Sequence, residues 1–157
     1  MDAQELIRAL SLKPHPEGGW YREVYRSRLR VAAMSGNRAA LTTIYYLLEH
    51  GQRSRWHVVA ADEIWHFYCG APLELFAYDP DSHVGTREVL DRPGAGREPL
   101  AIIPAGVWQA ARSLGDYSLV GCSVAPGFEF ADFTLVSDVP RHEEHFARHL
   151  TALRELL

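Results

Sequence analysis

From Trp20 to Val136 the chain repeats one rhythm: short runs rich in β-branched and aromatic residues, cut at near-regular intervals by Gly, Pro, Asn and Asp. The runs cover about 20–31, 41–48, 54–60, 63–69, 73–78, 86–90, 100–103, 107–113, 117–124 and 128–136, and none of the connections between them carries the apolar period of a helix. A parallel sheet needs helical crossovers, so this pattern excludes an α/β fold and predicts an all-β sandwich or barrel of nine or ten strands. No long internal repeat is visible, which argues against a propeller or solenoid.

Helices are expected only at the ends. Asp2-Ala-Gln-Glu5 has the form of a capping box ahead of Leu6, Ile7 and Leu10, which predicts a short amphipathic helix stopped by Pro14 and Pro16. Near the other end, Asp138 and Pro140 precede an apolar stripe of Phe146, Leu150, Leu153 and Leu157. That predicts a C-terminal helix over about 139–156, with His142, His145 and His149 in solvated or helix-end roles beside the stripe. The whole of 1–157 is expected to form one domain, with its β body over about 17–137.

Composition narrows the partners. Apolar residues make up 47% of the chain, enough for a real core, and a formal charge of −4 with mixed signs provides no basic stripe for nucleic acid and no polybasic face for a membrane. Cys69 and Cys122 lie in apolar runs without metal-knuckle spacing and read as buried free thiols. With no leader-like or membrane-length apolar stretch, the expected location is cytoplasmic. Gly94-Ala95-Gly96 opens no helix, so it is not read as a phosphate cradle.

The chemistry concentrates in 51–70, where a strand, the Ala60–Asp62 corner and a second strand bring His57 and Glu63 within reach of each other. Side-chain alternation places Arg55 and Val59 on the face of His57, and Trp65 and Phe67 on the face of Glu63, with His66 on the opposite face. If 20–31 is one strand, Arg22, Arg26, Arg28 and Arg30 share a face, and Arg22, nearest the Gly18-Gly19 turn, is the candidate anion contact. Trp108 and Gln109 have opposite parity, so only one of them points inward.

The spacing Gly51, His57, Glu63, Gly70 is similar to the first cupin motif, G-x5-H-x-H-x3–4-E-x6-G, and Pro104-Ala105-Gly106 followed by Gln109 resembles the turn of the second. Together with Pro14-His-Pro-Glu-Gly-Gly-Trp-Tyr21, Ser54-Arg-Trp-His57, Asp62-Glu-Ile-Trp-His66 and the run from Ala125 to Phe133, the chain resembles the DUF985 (Cupin_5) family of small cupins over about residues 5–137. The resemblance implies a double-stranded β-helix jelly roll, a homodimer, and a small-molecule cavity in the barrel mouth, with Gln109 facing inward. It also implies four metal-ligand positions, which here read His57, Val59, Glu63 and Gln109. Valine cannot coordinate and a glutamine amide replaces an imidazole, so no metal cofactor is assigned; a divalent ion, if held, would rest on His57, Glu63 and Gln109.

Three functions follow. The first is a metal-independent isomerase or epimerase acting on a sugar or sugar-nucleotide-like carbonyl compound, similar to metal-free cupin epimerases. His57 would be its base, Glu63 the orienting carboxylate and Tyr21 or Tyr45 the acid, with Arg22, Arg55, Trp65, Phe67 and Gln109 contacting the ligand. The others are a non-catalytic cupin that binds a small polar or anionic molecule, and a metal-dependent cupin enzyme with a reduced ligand set.

Overall fold

The computed structural model describes residues 1–33, 36–94 and 96–139. Its one α-helix among these, α1 (Ala3–Ala9), begins with the expected capping box: the Asp2 carboxylate accepts from the Glu5 amide and the Glu5 carboxylate from the Asp2 amide. Thirteen strands follow: β1 (Lys13–Pro14), β2 (Trp20–Arg26), β3 (Arg30–Ala33), β4 (Gly36–Ala39), β5 (Thr42–Glu49), β6 (Arg53–Val59), β7 (Asp62–Gly70), β8 (Leu73–Asp79), β9 (Val84–Leu90), β10 (Leu100–Ile103), β11 (Trp108–Ser113), β12 (Tyr117–Ala125) and β13 (Phe133–Leu135). The helix expected over 139–156, with its three histidines, lies outside the described residues. No helix among the described residues is long and apolar enough to cross a membrane.

The strands form a six-stranded sheet, β1-β2-β5-β12-β7-β10, facing a five-stranded sheet, β13-β6-β11-β8-β9, while β3 and β4 make a separate hairpin. All ladders within the two large sheets are antiparallel, which gives the jelly-roll form of an all-β sandwich. The two inner faces meet in a core that includes Tyr46, Leu48, Trp65, Phe67, Leu75, Ile103 and Val120. Each large apolar side chain buried there contributes about 1.5–3 kcal/mol of transfer free energy. Alternation sends Trp56, Phe76 and Trp108 through the five-stranded sheet to its other face, where they pack with Val136. On the far side of the six-stranded sheet, α1 buries Leu6 and Ile7 against Leu47 and Leu119. Buried Glu74 is held by Arg87 and Arg112 from the strands on either side of its own.

Three register shifts decide which side chains reach the interior. In β2 one extra residue falls between Glu23 and Tyr25. In β6 the extra residue falls between Ser54 and His57, since Gln109 pairs with His57 but Ala111 with Ser54. In β7 it falls at Tyr68, so pairing from Asp62 to Phe67 is unbroken. The single strand expected over 20–31 is interrupted: β2 ends at Arg26 and the chain re-forms in β3, which pairs with β4. In the last expected run, 128–136, only Phe133–Leu135 pairs, against β6, and 3-10 turns at Phe130–Asp132 and Val136–Asp138 flank it. Cys122 is buried and Cys69 half-buried, both as free thiols.

Candidate functional site

The sandwich opens at one end into a cavity of about 310 Å³ between β2, β5, β7 and β12 on one side and β6 and β13 on the other. His57 and Glu63 both line it. They belong to strands of opposite sheets, because the chain changes sheet at the Ala60–Ala61 corner, and so they approach across the interior.

The carboxylate beside His57 comes from elsewhere. Residues 15–19 form a tight turn closed by His15 N–H to Gly19 O at 3.0 Å and Gly18 N–H to His15 O at 3.1 Å. The turn is fastened to β6 by Arg55, whose amide donates to Glu17 O at 3.0 Å and whose guanidinium donates to Pro16 O at 2.7 Å, and Tyr46 Oη donates to Gly18 O at 2.8 Å. So held, buried Glu17 points inward: its Oε1 accepts from Ser54 Oγ at 2.8 Å, and its Oε2 lies 3.4 Å from His57 Nε2 and 3.7 Å from His15 Nδ1. One carboxylate therefore stands between two imidazoles.

The hydrogen bonds fix the tautomers. A carbonyl only accepts, so His57 Nδ1, 2.8 Å from Arg55 O, carries a proton and Nε2 is the position that exchanges one. His15 Nδ1 accepts from the Glu17 amide at 3.2 Å, which leaves the proton of the neutral ring on Nε2. Burial lowers the His15 pKa, Glu17 opposes that and His57 reinforces it, so His15 stays neutral more readily than an exposed histidine. Phe133 packs on the His57 ring, centroids 5.3 Å apart.

The inner wall is a polar chain. Trp65 Nε1 donates to Gln109 Oε1 at 2.8 Å, and Gln109 Nε2 donates to Glu63 Oε2 at 2.6 Å. An indole N–H can only donate, so the orientation of the Gln109 amide is set by chemistry. Burial raises the Glu63 pKa, countered by His57 and by the Gln109 hydrogen bond and reinforced by Glu17. The Cys122 thiol and the Tyr46 phenol, both fully buried, are raised well above their ordinary values, again first by burial. At the rim, Arg26 binds Glu23 through Nε and Nη2 at 3.0 and 2.8 Å, Glu129 through Nη1 at 2.8 Å and Phe128 O through Nη2 at 3.1 Å. Phe128, Phe130 and Phe133 form an aromatic wall there.

Of the residues singled out in the sequence, His57, Glu63, Val59 and Tyr21 line the cavity. Gln109 lies behind Glu63, and Trp65 and Phe67 are buried in the core beside it. Tyr45 does not face in; its ring lies on the opposite face of β5, 5.9 Å from Tyr68, with the Arg22 guanidinium carbon 5.7 Å away. Arg22 has the opposite parity to Tyr21 and stays on that outer face, whereas the extra residue after Glu23 carries Arg26 to the cavity lip. Arg55 sits in the irregular part of β6 and clamps the turn rather than lining the cavity. His66 pairs with Gly121 in the unbroken part of β7, on the face away from Glu63. Nothing in the sequence alone assigns a role to His15, Glu17, Tyr46, Lys13 or the three phenylalanines. The visible signal for the first two was the Pro14-to-Gly19 turn, whose paired glycines precede a strand.

A family model described as the cupin superfamily (DUF985) matches residues 4–136. This chain belongs to that family. A crystal structure of a Shewanella oneidensis protein superposes with a TM-score of 0.84 at 33% identity, covering 100% of this chain and 97% of the other. A hypothetical protein from Leishmania major gives 0.79 at 32%, covering 90% and 94%. Oxalate decarboxylase from Bacillus subtilis shares the fold at 15% identity, with a TM-score of 0.61 over 92% of this chain and 36% of its own. No curated protein matches the chain.

Metal-binding cupins place ligands at the four positions noted above, and this DUF985 cupin does not fit a metal there. Val59 has no donor atom, and Gln109 Oε1, its only ligating atom, accepts from Trp65 while its amide nitrogen faces Glu63. Among the described residues no group of three or more His, Cys, Asp or Glu side chains is placed to hold a metal ion.

Proposed function

We propose that this cupin is a metal-independent isomerase or epimerase acting on a hydroxycarbonyl compound, with His57 and Glu17 as its proton-transfer pair. The observation that carries the reading is the position of His57: Nδ1–H is fixed on Arg55 O, and Nε2 faces both the cavity and the Glu17 carboxylate. With the Glu17 carboxylate 3.4 Å from Nε2 and Nδ1–H held by a carbonyl, the ring is fixed in orientation, and the pair can accept a proton from a carbon next to a carbonyl and pass it on. As that C–H bond breaks, its electrons form the C=C bond of an enediol, the carbonyl π electrons move onto oxygen, and that oxygen takes a proton. Tyr21, the lining tyrosine whose hydroxyl is not engaged elsewhere among the described residues, supplies that proton. Return of the first proton to the opposite face of the same carbon, with Tyr21 recovering its proton from the same oxygen, gives epimerisation; delivery to the adjacent carbon, with Tyr21 taking the proton of the neighbouring hydroxyl, gives aldose–ketose isomerisation.

The test is solvent exchange. Incubation in D2O with a panel of aldoses, ketoses and their phosphates should place deuterium at the carbon next to the carbonyl, read by NMR. His57→Asn and Glu17→Gln should each slow that exchange by roughly 10²–10⁴-fold, the usual contribution of a positioned base. The Ser54–Glu17 hydrogen bond favours a second reading, a static polar pocket in a binding protein. Binding of a panel compound with no exchange by the unaltered protein would establish that reading and reject the catalytic one.

A further inference from the structure

Besides the Tyr21 hydroxyl and the His15 Nε2–H, the polar lining of the cavity is made of acceptors. Glu17 and Glu63 present carboxyl groups, and His57 presents a nitrogen that accepts when the ring is neutral. The cations at the cavity are differently disposed. All three nitrogens of Arg26 are committed, to Glu23, Glu129 and Phe128 O, and Arg22 and Arg55 are not in the lining. Lys13 remains, exposed at the rim, its Nζ 5.1 Å from the Tyr21 ring centroid and without a carboxylate partner among the described residues. Beyond Lys13, an anion carried inward would meet two carboxyl groups and, among the described residues, no free cation, and desolvating it there would go uncompensated. A ligand rich in hydroxyl donors meets the opposite situation, since each donor finds an acceptor. On one side Phe128, Phe130 and Phe133 offer a continuous aromatic wall, and Phe130 is 51% exposed at the lip, a surface suited to the C–H face of a ring.

We propose that the cavity takes an uncharged, polyhydroxylated ligand of monosaccharide size, its hydroxyls donating to Glu17 and Glu63 and its C–H face resting on Phe130 and Phe133. This deepens the acid–base reading of the same cavity and shares its ligand, but it is tested by binding, without turnover. A failure of charge preference therefore leaves the exchange experiment standing, and a failure of exchange leaves this inference standing.

Calorimetric titration with D-glucose, D-mannose and D-galactose, each beside its 6-phosphate and its 2-amino-2-deoxy derivative, varies charge on one scaffold. At least one neutral sugar should bind, and its phosphate should bind weaker by about tenfold or more, equivalent to about 1.4 kcal/mol. Glu17→Gln keeps an acceptor oxygen and removes the charge; in a variant that still melts cooperatively, the neutral sugar should be retained and the phosphate penalty reduced. Phe130→Ala should weaken the neutral sugar several-fold. Three results would overturn the inference: no binding by any of the neutral sugars, tighter binding of the phosphates with the advantage lost in Lys13→Ala, or tighter binding of the amino sugars.

Discussion

At the residue scale, Glu17 is the centre of the site, because its two oxygens link Ser54, His57 and His15 in one buried cluster. This arrangement has a pH signature. Burial lowers the folded-state pKa of His15 below its ordinary 6.5, so below that pH the unfolded chain binds the proton more tightly than the folded one. The stability His15 contributes is therefore present above about pH 6.5 and is lost as the pH falls through the folded-state value. Glu63 works in the opposite sense: its raised pKa makes the folded state the better proton binder, so its contribution rises toward acid. Comparison with a variant isolates the first effect. The melting temperature of the unaltered protein relative to His15→Gln should fall between pH 7 and pH 5, by differential scanning fluorimetry in matched buffers, and a constant difference would show that His15 titrates normally.

At the element scale, the turn that delivers Glu17 depends on a glycine for two separate reasons. Gly18 has φ +114°, and a Cβ there would lie 2.1 Å from the Arg53 carbonyl oxygen, a backbone atom that cannot swing aside. Gly51 provides the control, with φ +75° and nothing within 4 Å of an added Cβ. Gly51→Ala should cost about 1–2 kcal/mol, the conformational strain alone. Gly18→Ala should cost more, roughly 3 kcal/mol or above, because backbone must also move. It should also displace Glu17, so that in chemical denaturation and D2O exchange both stability and exchange rate drop, whereas Gly51→Ala loses stability only. Equal stability losses would mean that the turn absorbs the contact by rotating.

The same elements explain what was legible beforehand. Glu63, Trp65 and Phe67 were placed on one face by alternation, and they share it because β7 pairs without interruption from Asp62 to Phe67. The same rule puts Arg22 and Arg26 on one face of β2, and Arg55 and His57 on one face of β6, but an extra residue in each strand separates the two members of each pair. Nothing in Arg-Glu-Val-Tyr or Ser-Arg-Trp-His marks such a bulge, because it arises from how the partner strand is paired. Glu17 was hidden for a related reason: its role needs the contact of the 15–19 turn with β6, which is separated from it by more than thirty residues of chain.

At the scale of the whole molecule, the jelly roll was readable from the rhythm of strands, but that fold by itself does not specify chemistry. The likeness to oxalate decarboxylase at 15% identity concerns the sandwich, while what a cavity can hold is decided by a few side chains at its inner end. Two of them, Val59 and Gln109, separate this cupin from a metal-binding one. Val59 lies two residues beyond His57 and lines the same cavity, and Gln109 pairs directly across from His57. If the scaffold is otherwise suited to a metal, replacing both should be sufficient to install one. The purified protein should carry less than about a tenth of an equivalent of transition metal by mass spectrometry, since His57 and Glu63 alone leave the coordination sphere half empty. The double variant Val59→His, Gln109→His should bind about one equivalent of Co²⁺, reported by its visible absorption, with raised thermal stability in the presence of the ion because binding favours the folded state. Each single variant should bind more weakly than the double. Near-stoichiometric metal in the unaltered protein would mean that its donors come from outside this set, and would reject the metal-independent reading. A well-folded double variant indifferent to Co²⁺ would instead show that the Trp65–Gln109–Glu63 chain fixes Glu63 in an orientation unsuited to coordination.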